Sequence, residues 1–242
     1  FKLIGPFTKT QKIIKKNLLQ IFPLFEKNHI KENTKKSWEN TGKTFFELLV
    51  LPKILNSKDK ITIEGKDHIN EIVSKKEKAI FIGIHQSNWE ILLPSIDRLG
   101  IPVVGIYRHI NNPFIDKLIL KIRKKSIFSN QSIYTPKGKK SAKDILDGIK
   151  NNISIVLLID QKDSAGEIVD FFNYPSKTQT GFIKIARKHN LKIIPVQNIR
   201  NKNDTFTLKF HKPIENISNE LSDKEVMRNI YKIIETWIKS QP

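Results

Sequence analysis

In the segment AIFIGIHQSNWEILLPSIDRLG an apolar run ends on His85, and a carboxylate, Glu90, follows five positions later. These are the parts of a general base and its orienter. The carboxylate accepts from one imidazole nitrogen, fixes the tautomer, and leaves the other nitrogen free to take a proton from a hydroxyl. On one continuous helix, residues five apart lie about 140° apart around the axis, so His85 is expected to precede a helix and fold back on it. Ser87 or Asn88 suits the N-cap, which puts Glu90 in the first turn, where the helix dipole favours its ionised form. A histidine near a carboxylate is more often a satisfied structural group, and the setting is what argues for chemistry. His85 sits at the C-terminal end of a predicted strand, where open α/β sheets place their ligands, and Trp89 can wall off water.

Two further predicted strands end on polar residues: Tyr107 leads to Arg108, and Ile159 leads to Asp160 and Gln161. In a parallel sheet these ends share one rim with His85. The planar fork of Arg108 suits a phosphate or carboxylate, with an equally good structural alternative in pairing with Asp116 or Asp160. Asp160 is read as orienting Arg108 or Lys137 rather than as doing chemistry. Lys137 lies in the run PKGKK, which opens a predicted helix and offers backbone N–H groups and lysines to phosphate, although most such runs are only solvated. Other chemistries are excluded by inspection. There is no G-x-S-x-G elbow, no H-E-x-x-H, no dinucleotide-binding glycine pattern and no P-loop, and His29, His68, His109, His189 and His211 have no metal-ligand spacing, so no metal site is expected.

The elements that must carry these residues follow from periodicity. Strands are expected over 61–64, 79–84, 102–107, 132–135, 153–159, 192–198 and 205–210, alternating with helices over 69–76, 89–99, 114–124, 141–150, 180–188 and 224–239. Near-continuous apolar strands between helices predict an α/β fold with a central, largely parallel, mixed β-sheet flanked by helices. The mixed part is the last strand pair, joined by a hairpin turn at 201–204. Ahead of the sheet, amphipathic helices over 8–19 and 31–49 form an N-terminal helical segment (1–58), ended by Pro52 and carrying an apolar patch at Phe45, Phe46, Leu48, Leu49, Val50 and Leu51. That patch reads as core packing or as a surface for an acyl chain or membrane. The whole chain, 1–242, is read as one domain.

Composition limits the setting. The formal net charge of +19 favours polyanions: nucleic acid, anionic lipid, phosphorylated substrates or an acidic protein. The absence of cysteine excludes disulfides, a thiolate nucleophile and Cys-ligated zinc, and is consistent with a reducing, cytoplasm-facing location. No run of about 18 apolar residues marks a membrane span. The chain starts on Phe1 and stops after a helical pattern, so both ends are expected to continue in a longer protein, with a membrane anchor and a C-terminal tail outside this chain.

HQSNWE resembles the H-x-x-N-W-E block of the bacterial lipid A biosynthesis (late, or secondary) acyltransferases, a branch of the H-x4-D/E lysophospholipid acyltransferase superfamily. YRHINNPFIDKLI is similar to that family's Y-R-P-x-x-N-P-x-x-D block, VLLIDQ to its D-Q block, and VDFFNYPSKTQTGFIKIARKHNLKIIPV to the F-F-G-x-x-A-x-T stretch before the next strand. The resemblance covers roughly residues 2–240, and four ordered motifs are specific where His85 and Glu90 alone are not. Departures are Gln86 and Ser87 in place of an apolar residue and Gly, His109 in place of Pro, and Asn173 in place of Gly; Pro94 is expected to kink the helix after Glu90.

The resemblance implies transfer of a fatty acyl chain from acyl carrier protein to a hydroxyl of a lipid A precursor. It implies His85 and Glu90 as the catalytic pair and Arg108, Asp160, Asn88 and Lys137 as substrate-binding residues. No cofactor is expected, with acyl-ACP or acyl-CoA as the donor substrate. Without a cysteine or a serine elbow, direct transfer in a ternary complex is favoured over an acyl-enzyme. Partners are then acyl carrier protein, a phosphorylated lipid A precursor and the anionic surface of the inner membrane, on its cytoplasmic face. The alternatives are acylation of another membrane glycolipid or of a lysophospholipid, and, from another class, a basic nucleic-acid-binding module. No recognition module or aromatic ladder supports the last, so no nucleic acid is expected.

Overall fold

The structure is a computed structural model that describes residues 5–215, 217 and 220–242. The first four residues of the expected N-terminal segment lie outside it. The alternating pattern resolves into a seven-stranded sheet built from β1 (Ile61–Glu64), β2 (Ala79–Gly83), β3 (Val103–Tyr107), β4 (Ile133–Pro136), β5 (Ser154–Leu158), β8 (Lys192–Arg200) and β9 (Phe206–Phe210), in the order β1-β9-β8-β2-β5-β3-β4. Every neighbouring pair is parallel except β8 and β9, which are antiparallel, as the turn at 201–204 implies. The expected α/β architecture is therefore the observed one.

The sequence pattern sorts the two faces. Along β2, Ile80 and Ile82 point into a core shared with α7 (Lys139–Lys150), α8 (Gly181–His189) and α9 (Asp223–Ser240). Phe81 points the other way, against Leu92, Leu93 and Ile96 of α5 (Leu92–Arg98) and beside the short α4 (Asn70–Lys75). All five β2 residues are buried, so the strand reads as continuously apolar rather than alternating.

A second, two-stranded sheet was not expected from sequence. β6 (Glu167–Phe171) and β7 (Tyr174–Thr178) form an antiparallel hairpin whose two-residue loop, Phe172 and Asn173, has φ of 52° and 62°. Positive φ at both positions is the type I′ geometry that matches strand twist. Its usual signal, a glycine after Asn or Asp, is missing, and Pro175 argues against a strand. The hairpin is fixed from outside instead, because Glu235 of α9 accepts from the Phe172 N–H at 2.8 Å and from Arg228 at 2.6 Å.

The N-terminal segment comprises α1 (Lys9–Ile21), α2 (Lys27–Leu49) and α3 (Leu51–Asn56). The helix α2 ends at Leu49 as expected, and Pro52 opens the next helix. It occupies the first turn of α3, where its missing N–H has no intrahelical partner to lose. Pro94 is tolerated in the first turn of α5 for the same reason, so it does not produce the expected kink; the stretch 89–99 instead opens as a 3-10 turn at Trp89–Ile91 before α5. The apolar patch on α2 divides. Leu48 and Leu51 are core, packed with Leu55, Ile91, Ile119 and Phe206, whereas Phe46 is 71% exposed and Leu49 and Val50 also face outward.

The helix α2 also splints the segment after β2. The Ser87 carbonyl accepts from Asn40 Nδ2 and Thr44 Oγ1, both at 2.9 Å, and Asn88 Nδ2 donates to Glu47, which is held in turn by Arg200. The clamp keeps Ser87 at φ 55° with its own hydroxyl buried and unpartnered. A left-handed non-glycine residue costs roughly 1–2 kcal/mol, partly offset by the greater unfolded-state freedom of glycine. Ser87→Gly is therefore expected to stabilise the protein by about 1 kcal/mol, a rise in Tm of about 2–4 °C in a thermal melt. A lower Tm contradicts this account of the loop.

Candidate active site

The parallel register Gly83 to Leu158, carried two residues past the strand ends, sets His85 level with Asp160. The pairing is completed by side chains. Asp160 Oδ2 accepts from the His85 backbone N–H at 2.9 Å, and Oδ1 lies 2.7 Å from His85 Nδ1. An ionised carboxylate only accepts, so Nδ1 carries a proton, and in the neutral ring the lone pair is then on Nε2. The Gln161 amide stands 3.3 Å from that Nε2, and the Trp89 ring packs edge-on to the imidazole at 5.2 Å. The arrangement has the geometry of a base held by a carboxylate, with an aromatic ring beside it, and the carboxylate is Asp160 rather than the Glu90 expected from sequence.

The carboxylate that meets the imidazole is not that of Glu90. Glu90 falls in the first turn after the Asn88 cap, with its N–H bonded to Asn88 Oδ1 at 3.1 Å, but its carboxylate is turned to Arg123 of α6 (Pro113–Ser126). The contact is two-pronged, at 2.9 and 2.6 Å, and both partners are largely buried. The Glu90 carboxylate thus draws α6 against the segment after β2, and Arg123 lies over the rings of Tyr107 and Tyr134. Burial opposes the Arg123 charge, and the bonds to Glu90 outweigh it and hold its pKa above the usual value. Burial, then the Glu90 charge, pushes the Tyr134 hydroxyl far above its ordinary range, so it remains a neutral donor.

Asn88 is fully buried. It caps Glu90, donates to Glu47 and offers its carbonyl to Asn198, so its side chain braces the segment after β2. Arg108 and Lys137 line the cavity next to His85, and among the described residues no carboxylate pairs with either, so neither Asp116 nor Asp160 claims Arg108. Asp116 instead locks the loop after Arg108. It accepts from the Ile110 N–H at 2.9 Å and pairs with His109 at 2.7 Å, contacts that hold its carboxyl below the ordinary range.

His85, Glu90, Arg108 and Lys137 border a cavity of about 490 Å³ that runs from the strand ends under α5. Leu92, Leu93, Val156 and Leu158 beside Gly105 form an apolar stretch of its wall, and Glu90, Arg123 and Tyr134 line it as well. Leu93 lies so close to Gly105 that a Cβ there would stand 2.2 Å from Leu93 Cδ1. Among the described residues no group of three or more His, Cys, Asp or Glu is placed to hold a metal.

A base at a strand end, free cations at a mouth and an apolar sleeve behind them suit attack by a hydroxyl on a chain-bearing carbonyl. The sequence matches the model of the family described as bacterial lipid A biosynthesis acyltransferase over residues 2–242. The chain belongs to this family. No curated protein sequence matches it. Membership gives acyltransferase chemistry with a lipid A precursor as the family's substrate. Gln161, at the strand end and in the D-Q block but given no role from sequence, is the neighbour of His85 Nε2.

The two carboxylates are expected to separate by experiment. Glu90→Ala strands a buried guanidinium and should lower stability by about 3–5 kcal/mol, read from denaturant unfolding. Asp160→Asn should leave the unfolding midpoint nearly unchanged and lower kcat by on the order of 10²-fold or more. If Asp160→Asn transfers acyl groups at the wild-type rate, Asp160 is not the orienter.

Proposed function

We propose that this protein transfers a fatty acyl chain from acyl carrier protein to a hydroxyl of a lipid A precursor, without an acyl-enzyme intermediate and without a cofactor. The observation that carries the reading is the His85–Asp160 pair at the head of an apolar cavity that can sheathe an acyl chain. His85 Nε2 takes the hydroxyl proton as the acceptor oxygen bonds to the thioester carbonyl carbon. Asp160 stabilises the imidazolium. The C–S bond then breaks, and the departing thiolate recovers the proton from His85, so the base is regenerated. Arg108 and Lys137, cationic and unpaired by carboxylates, suit the phosphate of the donor arm or the oxyanion. In place of the His–Glu pair expected from sequence, this reading has Asp160 as the charge partner and Glu90 as the strut that holds α6.

The surface favours operation at an anionic bilayer. No helix among the described residues is long and apolar enough to cross a membrane. Phe46, Leu49 and Val50 at the end of α2 and Phe114, Ile115 and Leu118 at the start of α6 are exposed, on two helices that pack against each other. Phe114, 82% exposed, begins the helix that follows the Arg108 loop. Lys117, Lys121 and Lys125 continue the outer face of α6 with charge that complements anionic headgroups.

His85→Ala should cut transfer by about 10²–10⁴-fold with the fold intact, assayed with acyl-ACP and a lipid A precursor. Wild-type rates from that variant would remove His85 as the base. Binding to vesicles should rise with anionic lipid content and weaken with salt, because screening shortens to about 8 Å at physiological ionic strength. Phe46→Glu together with Phe114→Glu should lower the salt-resistant part of that binding by about tenfold or more, given roughly 1.5–3 kcal/mol for burying each ring. Indifference to lipid charge, with salt-dependent binding of these lysines to DNA or RNA instead, would favour the nucleic-acid reading.

A further inference from the structure

The His85–Asp160 pair stands between two cavities. The first is the apolar sleeve bordered by His85. The second, of about 510 Å³, opens on the other side of the same strand ends, between the β6–β7 hairpin and α9. Asp160 and Gln161 lie on its wall beside Lys162, Phe171, Lys177 and Tyr231. Gln161 borders both cavities.

The two walls differ in chemistry. The first sets branched aliphatic side chains beside Gly105 along one stretch of its wall, with Arg108, Lys137 and the Glu90–Arg123 pair along another. The second combines two ammonium groups with two aromatic rings. Lys177 touches only the Ser164 carbonyl, at 3.4 Å, and among the described residues no carboxylate pairs with Lys162 or Lys177. The one carboxylate on this wall, Asp160, turns its oxygens to His85. Phe171 and Tyr231 pack with ring centroids 4.5 Å apart, tilted 40° to each other, and offer an aromatic floor. Unpaired cations over an aromatic floor match a phosphorylated sugar better than a hydrocarbon chain. The wall is also firmly built: the hairpin turn keeps a bulky residue, Phe172, at positive φ, and Glu235 and Arg228 of α9 hold it there.

Direct transfer needs two substrates bound at once, meeting at one nitrogen. That nitrogen, His85 Nε2, is faced by Gln161 at the junction of the two cavities. We propose that the second cavity is the acceptor subsite, in which Lys162 and Lys177 bind the phosphate of an anionic glycolipid and deliver its sugar hydroxyl past Gln161 to His85. The inference rests on the acyl-transfer reading and adds to it a separate seat for each substrate. Gln161 is then a positioning residue that yields its place at Nε2 to the incoming hydroxyl.

The test uses the full chain carrying Lys162→Glu and Lys177→Glu, two exposed positions whose change spares the core. Two measurements are made: initial rates with donor and acceptor varied separately, and equilibrium binding of a phosphorylated lipid A precursor dispersed in neutral detergent, with no donor present. The acceptor KM should rise by at least about tenfold and binding should fall in parallel, as expected for two lost charge-assisted contacts, while the donor KM changes by less than about twofold. A dephosphorylated precursor should bind the wild type and the variant equally. Ser176→Trp, which narrows the cavity without altering charge, should likewise raise the acceptor KM alone. A rise in the donor KM instead, or acceptor binding that survives charge reversal, overturns the assignment even if transfer is otherwise normal. Conversely, phosphate-dependent binding that the variant loses, in a protein that transfers no acyl group, leaves the subsite standing and removes the acyl-transfer reading.

Discussion

The parallel pairing of β2 with β5 is the constraint on which the site depends. A parallel register sets residues at equal depth along adjacent strands, and here it makes the second residue past β2 and the second past β5 neighbours. His85 and Asp160 are 75 positions apart in sequence, yet one ladder of backbone hydrogen bonds places them together, and the Asp160 carboxylate then bonds both the His85 backbone and its ring. Apolar burial on both faces of β2 gives that ladder its stability. Chemistry at the rim therefore draws its precision from the core beneath it rather than from the loops around it.

Much of this was legible in the residues. The seven strands of the main sheet, its parallel character and the antiparallel end follow from apolar runs, helical periodicity and one polar turn. The polar residues at three strand ends were correctly expected to share a rim. What local sequence could not supply was the partner of each charge. Glu90 is near His85 in sequence and Asp160 is distant, and spacing alone favours the near one. Only the strand order, with β5 between β2 and β3, decides the matter. Glu90 had a competing partner, Arg123, whose place on α6 no motif signals.

The hairpin β6–β7 escaped for a different reason. Its strands are short and half exposed, one contains Pro175, and its turn takes Phe172 and Asn173 where glycine would be the local choice. Tertiary contacts with α9 override the local preference. Ser87 belongs to the same class. A residue in a left-handed conformation, in place of the glycine of the motif it resembles, is tolerated because two donors from α2 hold its carbonyl. In both places a local rule is broken beside a cavity wall, where a fixed shape matters more than the comfort of one residue.

The helix α2 has two working faces. One grips Ser87 and Asn88 through Asn40, Thr44 and Glu47, and the other presents Phe46 and Leu49 to the surroundings. The exposed apolar face and the splint thus belong to one helix. A protein that adsorbs through that outer face fixes the bearing of its base relative to the surface in the same event, with no hinge between the foothold and the histidine. Such an enzyme would arrive at an interface already aimed, and successive substrates drawn from that surface would meet the same approach angle without a fresh orientational search.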